Sequence, residues 1–118
     1  MPPPKSMILV QTETLLKLNE RQMKLIRDHL HNYIEDKNKV RKANPDDMRH
    51  WLIKKLREET EEVCTSPPEM ILEELADVYE VLLALGTVYG HTLNSIQAFA
   101  DQKRNTLGGF RDGWILKE

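Results

Sequence analysis

EELADVYEVLLAL, residues 73–85, sets a glutamate and an aspartate into the apolar row of a helix. Helical spacing runs from Pro67 to about Tyr89, and apolar residues fall almost all round it: Met70, Ile71, Leu72, Leu75, Val78, Tyr79, Val81, Leu82, Leu83, Leu85 and Val88. A helix of that kind belongs in the middle of a bundle or at a subunit interface. Met70, Glu74, Asp77, Val81 and Val88 share one face, so two carboxylates sit where burial penalises charge.

The punctuation on either side is clear. Ser66 as N-cap with Glu69 three residues on is a capping-box signature, and Pro67 then falls at the first helical position. Gly90 is a stop signal. Thr92 is placed to cap a shorter helix with Leu93, Ile96, Phe99 and Ala100 inward, and after Lys103 the chain becomes the glycine-punctuated NTLGGFRDGWILKE. Upstream, Asn44 is an N-cap, Pro45 suits the first helical position, and Asp46 and Asp47 suit the positive end of the dipole. The helix they open carries Met48, Leu52, Leu56 and Val63 on one side.

Before it, Leu16, Met23, Ile26, Leu30 and Tyr33 predict one long amphipathic helix from about Thr12 to Asp36, ended by KNKVRKANPDD. There is no strand-type alternation and no internal repeat. The expectation is an all-α, four-helix bundle-like domain over residues 11–118, behind a short extended leader at 1–10, MPPPKSMILV, that lacks the long apolar run of a signal peptide.

With 118 residues, the chain is near the size where a partner subunit helps to complete a core. A net charge of -2 gives no electrostatic footprint for nucleic acid or an anionic membrane, and no apolar run is long enough to span a bilayer. The one cysteine, Cys64, excludes an internal disulfide framework and suits a reducing cytoplasm; it is expected as a small near-core residue. His29, His31, His50 and His91 are scattered and expected at the surface, without the Cys partners of a zinc site.

The second predicted helix repeats the anomaly of the third. KLREETEEV, residues 55–63, packs four glutamates into five positions. Leu52, Leu56, Glu59 and Val63 step by four, three and four along one stripe, and Glu62 stands one turn beyond Glu59. Lys54 and Lys55 reach Glu58 and Glu59 at i,i+4 spacing. A lone EExxE run is most often a solvated, salt-bridged face. Two carboxylate pairs at i,i+3 spacing, each in an apolar stripe, on helices joined by a short loop, face one another and need a common counter-charge. A hard divalent cation such as Mg²⁺ supplies it. Di-iron bundles use Glu-x-x-His, a spacing no glutamate here provides.

KLREETEEV followed by EELADVYEVLLAL and KRNTLGGF resembles the MazG-like all-α nucleotide pyrophosphohydrolases, above all their small phosphoribosyl-ATP-pyrophosphohydrolase-like members. The match runs over roughly residues 46–116. The resemblance implies Glu59, Glu62, Glu74 and Asp77 as ligands of Mg²⁺, with Mn²⁺ as a substitute. Glu58, Glu59 and Glu62 would be the catalytic carboxylates, one of them taking a proton from water. Lys103 and Arg104, with Lys55, would contact phosphates, and Gly108, Gly109 and Phe110 would shape the closing turn. Three departures stand out: a short spacer between the pairs, Leu107 where many relatives carry Arg, and little of the KLVRDKIP opening, of which KNKVRKANP is a faint echo.

The implied reaction is cleavage of the α–β phosphoanhydride of a nucleoside triphosphate to a monophosphate and pyrophosphate, in a cytoplasmic homodimer or homotetramer, with nucleotide house-cleaning as its purpose. Trp51, Tyr79 and Trp114 are the aromatic candidates for a base-binding wall. Phosphoribosyl-ATP is the alternative substrate. A non-catalytic nucleotide-binding or interaction module is the other reading, its carboxylates paired with Lys54, Lys55, Arg57 and Lys103.

Overall fold

Proline and asparagine chemistry sets where the first helix begins. Asn44 is extended and its side chain accepts the Asp46 N–H at 3.1 Å, so Pro45–Asp47 winds a 3-10 turn that runs straight into helix α1, Met48–Thr65. The computed structural model describes residues 23–118; residues 1–22, with the expected leader and the first part of the expected N-terminal helix, lie outside them. Helix α2 is Ile71–Val88 and helix α3 is Leu93–Leu107. Among the described residues there is no strand, so the all-α expectation holds at that level. No described helix is long and apolar enough to cross a membrane.

The α1–α2 connection differs from the capping box read from the sequence. Ser66 ends α1 in extended backbone, and its hydroxyl bonds the Pro67 carbonyl instead of capping α2. Pro67 is itself extended, with ψ 154°, and the 3-10 turn Pro68–Met70 leads into α2. The double proline explains the one-residue shift, because each residue before a proline is driven out of the helical region. With so short a link and extensive packing between them, α1 and α2 form an antiparallel hairpin.

α2 ends as its sequence predicts. Gly90 takes φ 80°, its N–H bonds Thr87 O, and the His91 N–H reaches back to Gly86 O in a Schellman motif. Thr92 then accepts the Ser95 N–H at 3.1 Å and opens α3. α3 crosses close to α2 at Gly86, where an added Cβ would stand 2.8 Å from Ile96 Cδ1.

The long N-terminal helix is a correction over its described part. Met23–Arg27 is irregular and Leu30–Tyr33 is a single 3-10 turn. Asp28, His29, His31, Asn32 and Tyr33 are weak helix formers, and the stretch is tied instead to the hairpin by side chains. Lys24 bonds Glu58, Arg27 bonds Asp77, and Lys54 donates to Met23 O.

Among the described residues Leu30, Leu52 and Val81 are the buried apolar ones, one from each of the three segments that meet here. Leu52, 2 % exposed, is the deepest of them. Leu72, Leu75, Tyr79, Leu82 and Tyr89 stay substantially exposed along the opposite side of α2. Cys64 is exposed, not near the core: it shares with Glu61 the side of α1 turned away from α2. Replacing Leu52 with Ala is expected to lower unfolding free energy by about 2–5 kcal/mol in a urea titration.

Candidate metal centre

An antiparallel hairpin aligns the two acidic pairs without further help. Glu59 and Glu62 lie one turn apart on α1, Glu74 and Asp77 one turn apart on α2, and each pair faces the other helix. One carboxylate oxygen from each of the four lies within 4.8 Å of all the others. Oxygens on opposite sides of a hard cation are about 4.2 Å apart for Mg²⁺ and about 5 Å apart for Ca²⁺, so this set fits one ion with small side-chain adjustments.

Burial makes the arrangement costly. Glu59 is 5 % exposed, and the other three are half-buried. Glu59 Oε2 and Glu74 Oε2 are buried with no hydrogen-bond partner. Such orphaned acceptors are what a cation-binding site leaves when its ligands are aimed inward.

Protein cations offset only part of the charge. The Lys55 ammonium lies 3.0 Å from Glu59 Oε1 and 3.4 Å from Glu58, which also takes Lys24 at 2.8 Å. Arg27 donates to Asp77 Oδ1 at 2.7 Å. Among the described residues no Lys, Arg or His forms an ion pair with Glu62 or Glu74. Burial holds the Glu59 carboxyl above its ordinary range, against the lowering effect of Lys55. Burial also raises Glu62, with Glu74 and Glu58 as like-charged neighbours, and it raises Glu74, with Asp77, Glu59 and Glu73 beside it.

Beside the cluster opens a small cavity of about 50 Å³ lined by Arg27, Lys55, Glu59, Asp77, Glu80 and Val81. It brings two cations and two of the four candidate ligands to one solvent-accessible space.

The structure thus brings together Glu59, Glu62, Glu74 and Asp77, with Lys55 and Glu58 at their edge. It does not bring Lys103 or Arg104 to the cavity lining. Both are exposed near the end of α3, and Arg104 pairs with Asp101 of its own helix at 2.9 Å. Gly108 ends that helix with φ 85°. Sequence reasoning missed Lys24 and Arg27, whose partners lie 34 and 50 residues further on. The signal available was the run KLIRD at 24–28, two cations at i,i+3 spacing upstream of an acidic site.

No protein-family model matches the chain, and no curated protein and no solved structure shows significant similarity to it.

A carboxyl raised on folding holds its proton more tightly in the folded chain than in the unfolded one. Stability from Glu59, Glu62 and Glu74 is therefore greatest in acid and declines as pH climbs from the ordinary carboxylate range through their raised values. In chelator, Glu62→Gln and Glu74→Gln are each expected to raise the urea midpoint at neutral pH and to flatten this decline. Both effects are read from urea titrations across pH.

Proposed function

We propose that the protein is a divalent-metal-dependent nucleotide pyrophosphohydrolase of the MazG-like all-α type. One observation carries the reading: four carboxylates converge from two helices, two of their oxygens are buried without partners, and the cluster opens on a cavity that also holds Arg27 and Lys55. Glu59, Glu62, Glu74 and Asp77 would hold Mg²⁺ or Mn²⁺. When bound, the ion supplies charge neutralisation for phosphate oxygens and acidifies water.

This chain's own residues do the rest. Phosphoanhydride hydrolysis needs positioning and charge stabilisation more than covalent help. Lys55 holds Glu58 and Glu59 in place from one side, and its ammonium lines the cavity where a phosphate would sit. Glu58, ion-paired with Lys24 and Lys55 at the edge of the cluster, would accept a proton from an attacking water.

The family's KLVRD-like opening also has a better counterpart than KNKVRKANP. KLIRD, residues 24–28, contributes two of the three cations that reach the carboxylates among the described residues. A nucleoside triphosphate is the substrate we propose, with phosphoribosyl-ATP as the alternative.

Ion pairs of the kind made by Lys24, Arg27 and Lys55 would also serve a non-catalytic helical module. Glu62 and Glu74 favour the metal reading, since such a module gains nothing from two half-buried carboxylates that have no ion-pair partner among the described residues.

We further propose a homodimer or homotetramer, in a fuller bundle than the described residues provide. Leu72 is 79 % exposed, and it shares an i,i+3,i+7 stripe on α2 with Leu75, Tyr79 and Leu82.

Pyrophosphate release from canonical and modified nucleoside triphosphates and from phosphoribosyl-ATP tests the activity. Release is expected with Mg²⁺ or Mn²⁺ and not with chelator. Glu59→Gln and Asp77→Asn are expected to lower kcat/KM by more than about 100-fold, the upper end of what losing a residue behind a metal ligand costs. Saturating Mg²⁺ is expected to raise Tm by several degrees, because binding at a hundredfold excess over Kd stabilises by about 2.7 kcal/mol. Metal-independent stability with no release from any of these nucleotides would support the interaction module.

A further inference from the structure

Arg27 is bonded to a carboxylate that the metal reading assigns to a cation, and that double claim on Asp77 has a consequence. The guanidinium is half-exposed at the cavity wall, and its one described side-chain bond runs from Nη2 to Asp77 Oδ1. An arginine carries five N–H donors in a planar fork, so most of its donor capacity remains open to the cavity. Arg27 is also kept there by more than Asp77. Lys24, three residues earlier, is fixed on Glu58, and Lys54 of α1 donates to Met23 O. If Asp77 is engaged elsewhere, those two anchors still hold the segment against the site.

Charge decides what such an arginine is for. The four clustered carboxylates and Glu80 leave the cavity three charges negative even with one divalent cation in place. A polyphosphate would be repelled by that field. Arg27 and Lys55, the two cations in the wall, cancel two of those charges.

Resting on the pyrophosphohydrolase reading, we infer that Arg27 is a substrate-phosphate contact of this site: it is held on Asp77 while the carboxylates lack their cation, and turns its fork to the polyphosphate once Asp77 is engaged. The residue comes from the segment before the helical hairpin, and not from the basic end of α3. Asp77 thereby serves as parking place and ligand in turn, so that cation and phosphate bind with mutual support.

The test separates metal from phosphate on the full chain, with Mn²⁺ and inorganic tripolyphosphate as probes. Mn²⁺ affinity is read by electron paramagnetic resonance, and tripolyphosphate affinity by calorimetry at saturating Mn²⁺. Arg27→Ala is expected to bind Mn²⁺ alone at least as tightly as the parent, because a competitor for Asp77 is gone. Its tripolyphosphate affinity is expected to fall ten- to a hundredfold, the loss of one or two charge-assisted hydrogen bonds. Arg27→Lys should recover part of that loss, keeping the charge without the fork.

Equal weakening of both affinities in Arg27→Ala would assign Arg27 a merely structural role and overturn the inference. Unchanged tripolyphosphate affinity would make it a counter-ion only, leaving the pyrophosphohydrolase reading intact. A parent protein that binds no Mn²⁺ would remove the metal reading itself, and this inference with it.

Discussion

Four carboxylates meeting between α1 and α2 within 4.8 Å of one another repel, and the helical hairpin holds only if something offsets that repulsion. Three agents are available: protons, protein cations and a metal ion. Protons answer first where no metal is bound, which is why burial and like-charged neighbours lift Glu59, Glu62 and Glu74 together. Lys55 and Arg27 answer for Glu59 and Asp77. Among the described residues Glu62 and Glu74 have no cationic partner, and protons or a cation from solution would serve them. A structural salt-bridge cluster would distribute its positive charges more evenly. The imbalance is what gives the site a direction, with cations at the cavity wall and unpartnered oxygens inside.

The same constraint explains how α2 is used. One of its faces, Glu74, Asp77, Val78 and Val81, is committed to α1 and the acidic cluster. Another, at Gly86, admits Ile96 of α3 to close range. The stripe through Leu72, Leu75, Tyr79 and Leu82 is left substantially exposed. Among the described residues Leu30, Leu52 and Val81 are the buried apolar ones, and a site that stores charge repulsion at the main helix contact draws on that small centre further. Metal binding and burial of the apolar stripe would both relieve that position, which links the proposed chemistry to the proposed assembly.

Local rules carried most of the fold. Asn44, Pro45, Gly90 and Thr92 act at the ends where their side-chain and backbone chemistry put them. The i,i+3 acidic pairs could be read because helix geometry fixes their direction and a short link fixes their partner. Ser66 failed because two consecutive prolines outweigh a capping box. Residues 23–36 failed for a different reason. Met23, Ile26, Leu30 and Tyr33 do have helical spacing, yet ion pairs from Lys24 and Arg27 to distant residues tie the chain into an irregular path. Contacts across 34 and 50 residues leave no periodic trace, so Lys24 and Arg27 were hidden while Lys55 and the acidic pairs were plain.

The central claim is that these carboxylates exchange protons for a divalent cation. Calorimetric titration of Mg²⁺ into the metal-free protein at about pH 6, in two buffers of different ionisation enthalpy, addresses it directly, since that pH lies above the ordinary carboxylate range. The account predicts saturable uptake with a buffer-dependent heat, the mark of protons leaving raised carboxyls as the ion enters. The absence of any saturable uptake, there or at neutral pH, would contradict it and leave the α1–α2 cluster a structural feature of the hairpin.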